Sequence, residues 1–421
     1  MAIQFTFHHK EKYIASKQWE DSLIRHQKIV EKAILGSKEK VQYANMLGWM
    51  DFKLFASNEE LDEINTLSKS IRENYDVLVI SGVGGSIQAT LAVIQCLKTA
   101  DFETVILGNT LSARAINSIL KKIKNKRVYF INIAKNFGTL EPGIGFRFMT
   151  DYLKATTECY AQHVSVIGTK HSELHELAEE EGFRFWPFYD EIGGRYSGLS
   201  VVSLLPLAIN NISIEDYIEG AKSLQEKYRK GKLVDNPSYQ YALARFELYK
   251  AGKDIELFAH FEPFLEHVAK WCVQLFAESE GKENKGIFPT RASYSEDLHA
   301  IGQYVQEGQR KLFETFLHID KLDDQLQVPV NDVEDGFSYI EGKLLKEIND
   351  IAYRATIAAH DDANVPCLVI TLDELDAKHI GELFYFFMVA CYMSSMLIDV
   401  NPFDQQGVEA YKSYMFTSLE G

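Results

Sequence analysis

Glu278 and His299 bracket the stretch of this chain that is richest in groups able to move protons. Glu278 ends a strongly apolar run that reads as a helix. His299 opens the next amphipathic run after an excursion punctuated by Gly281, Gly286 and Pro289. That layout can aim a general base and a proton-carrying imidazole at one pocket. The same spacing also suits a solvated helix-end acid and a helix-start histidine, so the neighbouring chemistry has to decide.

Four further clusters bear on it. Ser81-Gly-Val-Gly-Gly85-Ser86 follows a short apolar run and precedes a helical one; its glycines permit a tight turn, and the exposed N–H groups of the helix start, extended by the Ser86 hydroxyl, form an anion site. Ile87 stands where a dinucleotide fingerprint requires its third glycine, and no Gly-Lys-Ser/Thr follows, so neither that fingerprint nor a P-loop is present. A purely structural turn fits the same residues. Lys135-Asn136-Phe-Gly-Thr139-Leu-Glu141 is a second junction of this kind, with Thr139 suited to an N-cap and Lys135 at the carboxyl end of a strand, where ligands of parallel sheets bind. Asp190-Glu-Ile-Gly-Gly-Arg195 holds an arginine on a glycine turn, able to face developing oxyanion charge or to pair with Asp190 or Glu191. Asn401-Pro-Phe-Asp-Gln405 leads into a helix carrying Lys412; Gln405 could meet a ligand oxygen, and Lys412 alone reads as a solvated lysine.

Elements able to position these residues are legible as a pattern. Residues 1–72 read as a helix-rich segment with few strand signals. After it, Tyr75–Ser81, Val105–Asn109, Arg127–Ile133 and His163–Thr169 are short apolar runs separated by amphipathic helical segments, the mark of a mainly parallel sheet covered on both faces. The alternation returns less regularly with Ile255–Phe261, Phe313–Ile319 and Pro366–Leu372 as strands. The fold class expected is therefore α/β, two α/β/α sandwich domains with mainly parallel sheets and helical N- and C-terminal segments. The expected segments are 1–72, which packs on the larger domain, then 73–195, 196–400 and 401–421, the last carrying Lys412. The halves could be distant structural repeats, but their sequences do not show it.

At 421 residues the chain is long enough for more than one core, and its formal charge of −16 argues against nucleic acid or an anionic membrane as the main partner. Five scattered cysteines, an odd number without a CxxC pair, point to free thiols in a reducing compartment. The first residues lack the basic start and apolar core of a signal peptide, and no run of about 18 apolar residues occurs, so the expectation is a soluble cytoplasmic protein. His8 and His9 are adjacent with no carboxylate at ligand spacing, which reads as a surface accident, and no metal is expected.

In this order, the clusters resemble the glucose-6-phosphate isomerase family in its shorter bacterial form. Asp190 through Val202 matches one family signature, with Ser203 where glycine is usual; Met396 through Lys412 matches a second, and Glu278-Ser-Glu-Gly-Lys282 with the His299 segment looks like a third. The resemblance runs from about residue 40 to residue 418. It implies that Glu278 is the base that moves a proton between C2 and C1 through a cis-enediolate, that His299 and Lys412 serve ring opening, and that Arg195 stabilises the enediolate. Gly85, Ser86, Lys135, Asn136 and Thr139 correspond to phosphate-binding positions, and Gln274 and Gln405 to substrate contacts. It further implies no cofactor, a small-molecule sugar phosphate as ligand, and a homodimer in which His299 comes from the neighbouring subunit. The phosphate loop departs from the family: Ala134, Asn136 and Gly138 stand where hydroxyls are common, each lost bond to a charged group being worth about 1.5–3 kcal/mol. That departure leaves open a non-catalytic sugar-phosphate-binding protein of the same fold; a separate alternative is an isomerase that also accepts mannose 6-phosphate.

Overall fold

A computed structural model describes residues 3–35, 42–97, 102–322 and 325–420. Among them run ten strands in chain order: β1 (Ile3–Phe7), β2 (Val77–Ser81), β3 (Glu103–Leu107), β4 (Val128–Ala134), β5 (Val164–Gly168), β6 (Arg184–Pro187), β7 (Ile255–His260), β8 (Phe288–Ser293), β9 (Leu312–Lys321) and β10 (Cys367–Glu374). The chain divides into two compact units. The first comprises residues 35–226 and 380–388, the second residues 1–34, 227–379 and 389–421. The α/β class with mainly parallel sheets is as expected from the sequence.

The first unit holds an all-parallel sheet of order β3-β2-β4-β5-β6. β2 (VLVIS), β4 (VYFINIA) and β5 (VSVIG) are buried at every position, which is why they read as continuous apolar runs and not as alternating ones. One face packs Val79, Val105, Phe130 and Val166 against Ile116, Phe146, Met149 and Leu174 of the covering helices. The helices Asn58–Asn74 and Val201–Ile209 belong to this unit as well, Arg72 donating to the carbonyl of Ala208. The unit therefore extends beyond the 73–195 span drawn from sequence, because both flanking helices fall within it, Asn58–Asn74 burying the stripe Leu61, Ile64 and Ile71.

The second unit holds the sheet β1-β10-β9-β7-β8, parallel except for β1. Its four parallel strands, taken in chain order, repeat the arrangement of the first four in the other sheet. The second strand lies on one side of the first, and the third and fourth lie on the other. The structural repeat that the sequences do not show is thus present in the topology. β1 corrects the reading of the N-terminus as helical: Ile3, Phe5 and Phe7 alternate, and the edge of β10 supplies the backbone partners that make a strand of them (Phe5 opposite Ile370). β6 and β8 also escaped the sequence reading, β6 being only four residues long and β8 carrying Pro289 and an exposed Arg291.

Helix Ala377–Leu397 is long and apolar enough to cross a bilayer by length and composition, although no uninterrupted apolar run of that length occurs; its apolar stretch is entirely buried in the protein.

Candidate active site

In the first unit the chain crosses from one side of β2 to the other after β3, so the carboxyl ends of β2 and β4 flank a topological switch point, the usual ligand crevice of an open parallel sheet. Ser81 and Asn132 pair in register there. The segment after β2 folds into a 3-10 turn, Gly84–Ser86, and leads into helix Gln88–Leu97. The segment after β4 carries Lys135 and Asn136 to Thr139, the N-cap of helix Leu140–Thr156. Thr139 makes no side-chain capping bond, so capping does not consume its hydroxyl.

A third segment meets these two. A Cβ on Gly85 would stand 2.4 Å from the carbonyl carbon of Gly194 and 2.5 Å from the Arg195 nitrogen, so only glycine allows the turn to lie against the arginine loop. The Ser197 hydroxyl fastens the contact, donating to Gly194 O at 2.7 Å and reaching Gly85 O at 3.3 Å. Arg195 sits in the 3-10 helix Gly194–Leu199 and is 4% exposed. Lys135 donates to the carbonyls of Asp190 (3.1 Å) and Ile192 (2.8 Å) and lies over the Phe188 ring; burial holds its ammonium below the usual lysine range, with Asp190 and Glu191 pulling the other way. The structure thus gathers Gly85, Ser86, Lys135, Thr139 and the Arg195 loop at one sheet edge. Asn136 takes a local role: its side-chain oxygen accepts from Gly138 N at 3.0 Å, folding the exposed loop on itself.

In the second unit, Glu278 lies in the last turn of helix Glu266–Glu280, half-buried. Gln274, one turn earlier, donates its amide to the Glu278 carboxylate at 2.9 Å, and the Gln274 side-chain oxygen is buried without a partner among the described residues. The helix end is tied down twice. Arg245 grips Glu280 through both terminal nitrogens (2.6 and 3.0 Å), binds Glu256 at 2.8 Å and donates to Ser394 at 2.6 Å, all fully or almost fully buried. Lys282 then pairs with Asp404 at 2.8 Å and donates to the Asn401 carbonyl, which draws the Asn401–Gln405 loop to the Glu278 helix. Gln405 is the exposed N-cap of a 3-10 turn, Gln406–Val408. Lys412 follows in helix Glu409–Glu420, paired with Glu409 at 2.7 Å.

His299 departs from expectation. It ends a 3-10 turn, Glu296–His299, instead of opening a helix, which begins only at Gly302, because Asp297 is drawn back to accept from Ser293 N and shapes a turn first. It is exposed, and its imidazole has no hydrogen-bond partner among the described residues. Sequence reasoning gave no role to Ser197 or Lys282, although both lie inside quoted motifs. Nor did it single out Asn132, fully buried beside Ser81 with neither side-chain polar atom paired among the described residues.

A family model described as phosphoglucose isomerase matches residues 59–322. The chain is 39% identical over 397 residues to the glucose-6-phosphate isomerase of Shouchella clausii (strain KSM-K16), covering 90% of this chain and 88% of that relative. It is 37% identical to that of Bacillus cytotoxicus, covering 94% and 90%. Among solved structures, a hypothetical protein of Thermus thermophilus gives a TM-score of 0.89 at 25% identity, covering 99% of this chain and all of that one. A glucose-6-phosphate isomerase of Chlamydia trachomatis gives 0.83 at 14% identity, covering 100% and 88%, a likeness of fold. With a family model matched over more than half its length and relatives aligned along nearly their whole span, the chain belongs to the phosphoglucose isomerase family.

Proposed function

We propose that this chain is an aldose–ketose isomerase that interconverts D-glucose 6-phosphate and D-fructose 6-phosphate, opening the sugar ring and passing a proton between C2 and C1 through a cis-enediolate. The observation that carries the reading is the Gln274–Glu278 pair: a half-buried carboxylate oriented by a neighbouring amide whose own oxygen has no partner among the described residues and suits a substrate hydroxyl. A carbon-bound proton beside a carbonyl is a weak acid, so its removal needs a positioned base and a charge stabiliser. Glu278 is the base in this reading, and Arg195, rigidly seated on its glycine turn, stabilises the enediolate. The anion cradle at the switch point of the first sheet, built from Gly85, Ser86, Lys135, Asn136 and Thr139, receives the phosphate. Gln274 and Gln405 contact the sugar, and Lys412 and His299 serve ring opening.

The exposed His299, without a hydrogen-bond partner in its own chain among the described residues, supports a homodimer in which each subunit lends this histidine to the other's site. Five cysteines kept as thiols, four of them buried, support a reducing, cytoplasmic setting.

A coupled assay with fructose 6-phosphate, comparing the purified protein with Glu278→Gln, tests the reading. Removal of a general base should lower kcat by about 10²–10⁴-fold. Wild-type turnover no better than the variant's would sink it, and saturable binding without turnover would mark a sugar-phosphate-binding protein instead. For the dimer, sedimentation with simultaneous assay suffices: a fully active 48.0 kDa species contradicts a shared site.

A further inference from the structure

His8 and His9 have no carboxylate companion in the sequence, but the fold provides one. Pairing of β1 with β10 places Phe7 opposite Leu368, and the His8 N–H donates to Cys367 O at 2.9 Å. The two histidines are thereby brought to the end of helix Leu345–Asp362, where Asp361 lies 353 positions along the chain from His8. The imidazole rings are 4.0 Å apart between centroids, and His9 Nδ1 stands 2.8 Å from Asp361 Oδ2. One ligand atom from each of the three residues lies within 4.8 Å of the others.

We propose that His8, His9 and Asp361 form a binding site for a divalent transition-metal ion of the zinc class, with its remaining coordination open to water. Two imidazoles and a carboxylate are the donor set that such ions favour over the all-oxygen sets of calcium and magnesium. In the structure as it stands, a hydrogen bond closes His9 on Asp361, and the ion takes the place of that bridging proton. Bond lengths near 2.0–2.2 Å set tetrahedral ligand atoms about 3.3–3.5 Å apart, so His9 Nδ1 and Asp361 Oδ2 open slightly from 2.8 Å to admit the ion, within reach of small side-chain rotations because His9 is exposed.

The surroundings orient the carboxylate. Asp361 is 3% exposed, and its second oxygen, Oδ1, accepts from the Tyr13 hydroxyl at 2.7 Å, which leaves Oδ2 for the ion. Lys12 is the competitor. Its ammonium lies 3.6 Å from Asp361 Oδ2 and also donates to the Asp361 carbonyl, and its side chain, one-third exposed, has solvent to swing into. An ion here clips the end of β1 to the sheet and the helix that hold it, so binding stabilises the folded chain by linkage.

The experiment uses the full chain without a polyhistidine tag, stripped with a chelator and titrated with zinc by calorimetry and with cobalt by visible absorption. One equivalent is expected to bind, with cobalt bands of low-symmetry coordination and a rise in melting temperature on adding zinc. His9→Gln, an exposed change, is expected to weaken binding at least 10-fold, as is His8→Gln, whereas Lys12→Met is expected to tighten it. His267→Gln, remote in sequence from all three ligands, should leave it unchanged. Absence of saturable binding overturns the proposal, as does binding indifferent to His9→Gln or weakened by Lys12→Met.

Discussion

The two sheets share the arrangement of their parallel strands but differ in what they bury. In the first, the buried polar groups of the strands are neutral, those of Ser81, Tyr129, Asn132, Ser165 and Trp186, and no charged side chain is buried in these strands. In the second, Glu256 on one face joins Arg245 and Glu280, and Glu314 on the other accepts from Tyr294 and His360, both at 2.6 Å. The difference follows where each unit keeps its candidate site. The first follows the rule for parallel sheets, with its polar groups on loops past the strand ends, built from backbone and glycine. The second puts Glu278 at the carboxyl end of a helix, some ten residues before β8 begins and so toward the opposite edge of its sheet. A helix carboxyl end is the negative pole of the macrodipole, and it carries both Glu278 and Glu280 here. The buried Arg245 guanidinium offsets that charge and fixes the geometry. One unit thus holds a site by close backbone approach, the other by buried ion pairs.

Breaking the ion network gives the largest expected effect. Arg245→Met strands two buried carboxylates and should cost about 3–5 kcal/mol, seen as a marked fall in the urea midpoint. Replacing Arg245, Glu256 and Glu280 together with apolar residues of similar volume should restore much of that stability while lowering turnover, because the helix end loses its anchor. A single variant within 1 kcal/mol of wild type would show that the network does not hold the second unit together.

The glycine contact comes next. Gly85→Ala forces a methyl group into the Gly194–Arg195 backbone and should cost about 1–3 kcal/mol, with KM for fructose 6-phosphate rising more than kcat falls. A neutral substitution would mean that the first site does not depend on close approach.

The smallest effect concerns a half-buried acid. Burial, with Glu63 second, pushes the Glu60 carboxyl of the first unit up to about 7, and its Oε1 is buried without a partner among the described residues. The folded chain therefore holds this proton more tightly than the unfolded one, so its penalty is absent below the ordinary carboxylate range, grows as pH climbs toward 7 and is constant above. Glu60→Gln should match wild-type melting near pH 4 and exceed it above pH 7, by on the order of 1 kcal/mol after solvent screening. An equal gap at both values would contradict the assignment.

Reading by motif reached most of the candidate site. Gly85, Ser86, Lys135, Thr139 and Arg195 were legible because a glycine-rich turn or a cation after an apolar strand is a local pattern, and the structure draws those junctions to one sheet edge. Lys282, Ser197 and Arg245 were not legible as functional, since a lysine on a loop or an arginine mid-helix looks solvated until its partners appear from 122, 112 and 149 positions away. The turn ending at His299 is not legible in the sequence, because the bond that shapes it, from Ser293 N to the Asp297 carboxylate, carries no periodic signal.

By itself, the sequence determined the alternation of buried strands and amphipathic helices, the glycine turns that must sit at strand ends, and the kinship that motif order displays. These are local properties, written in spacing of a few residues. Only the tertiary structure decided that Ile3–Phe7 is a strand, that Glu280 is an anchored ion and not a solvated acid, and that Asp361 stands beside His8 and His9. Each of those outcomes depends on a partner hundreds of positions or several elements distant, and on burial that makes the pairing strong; neither has a trace in local spacing.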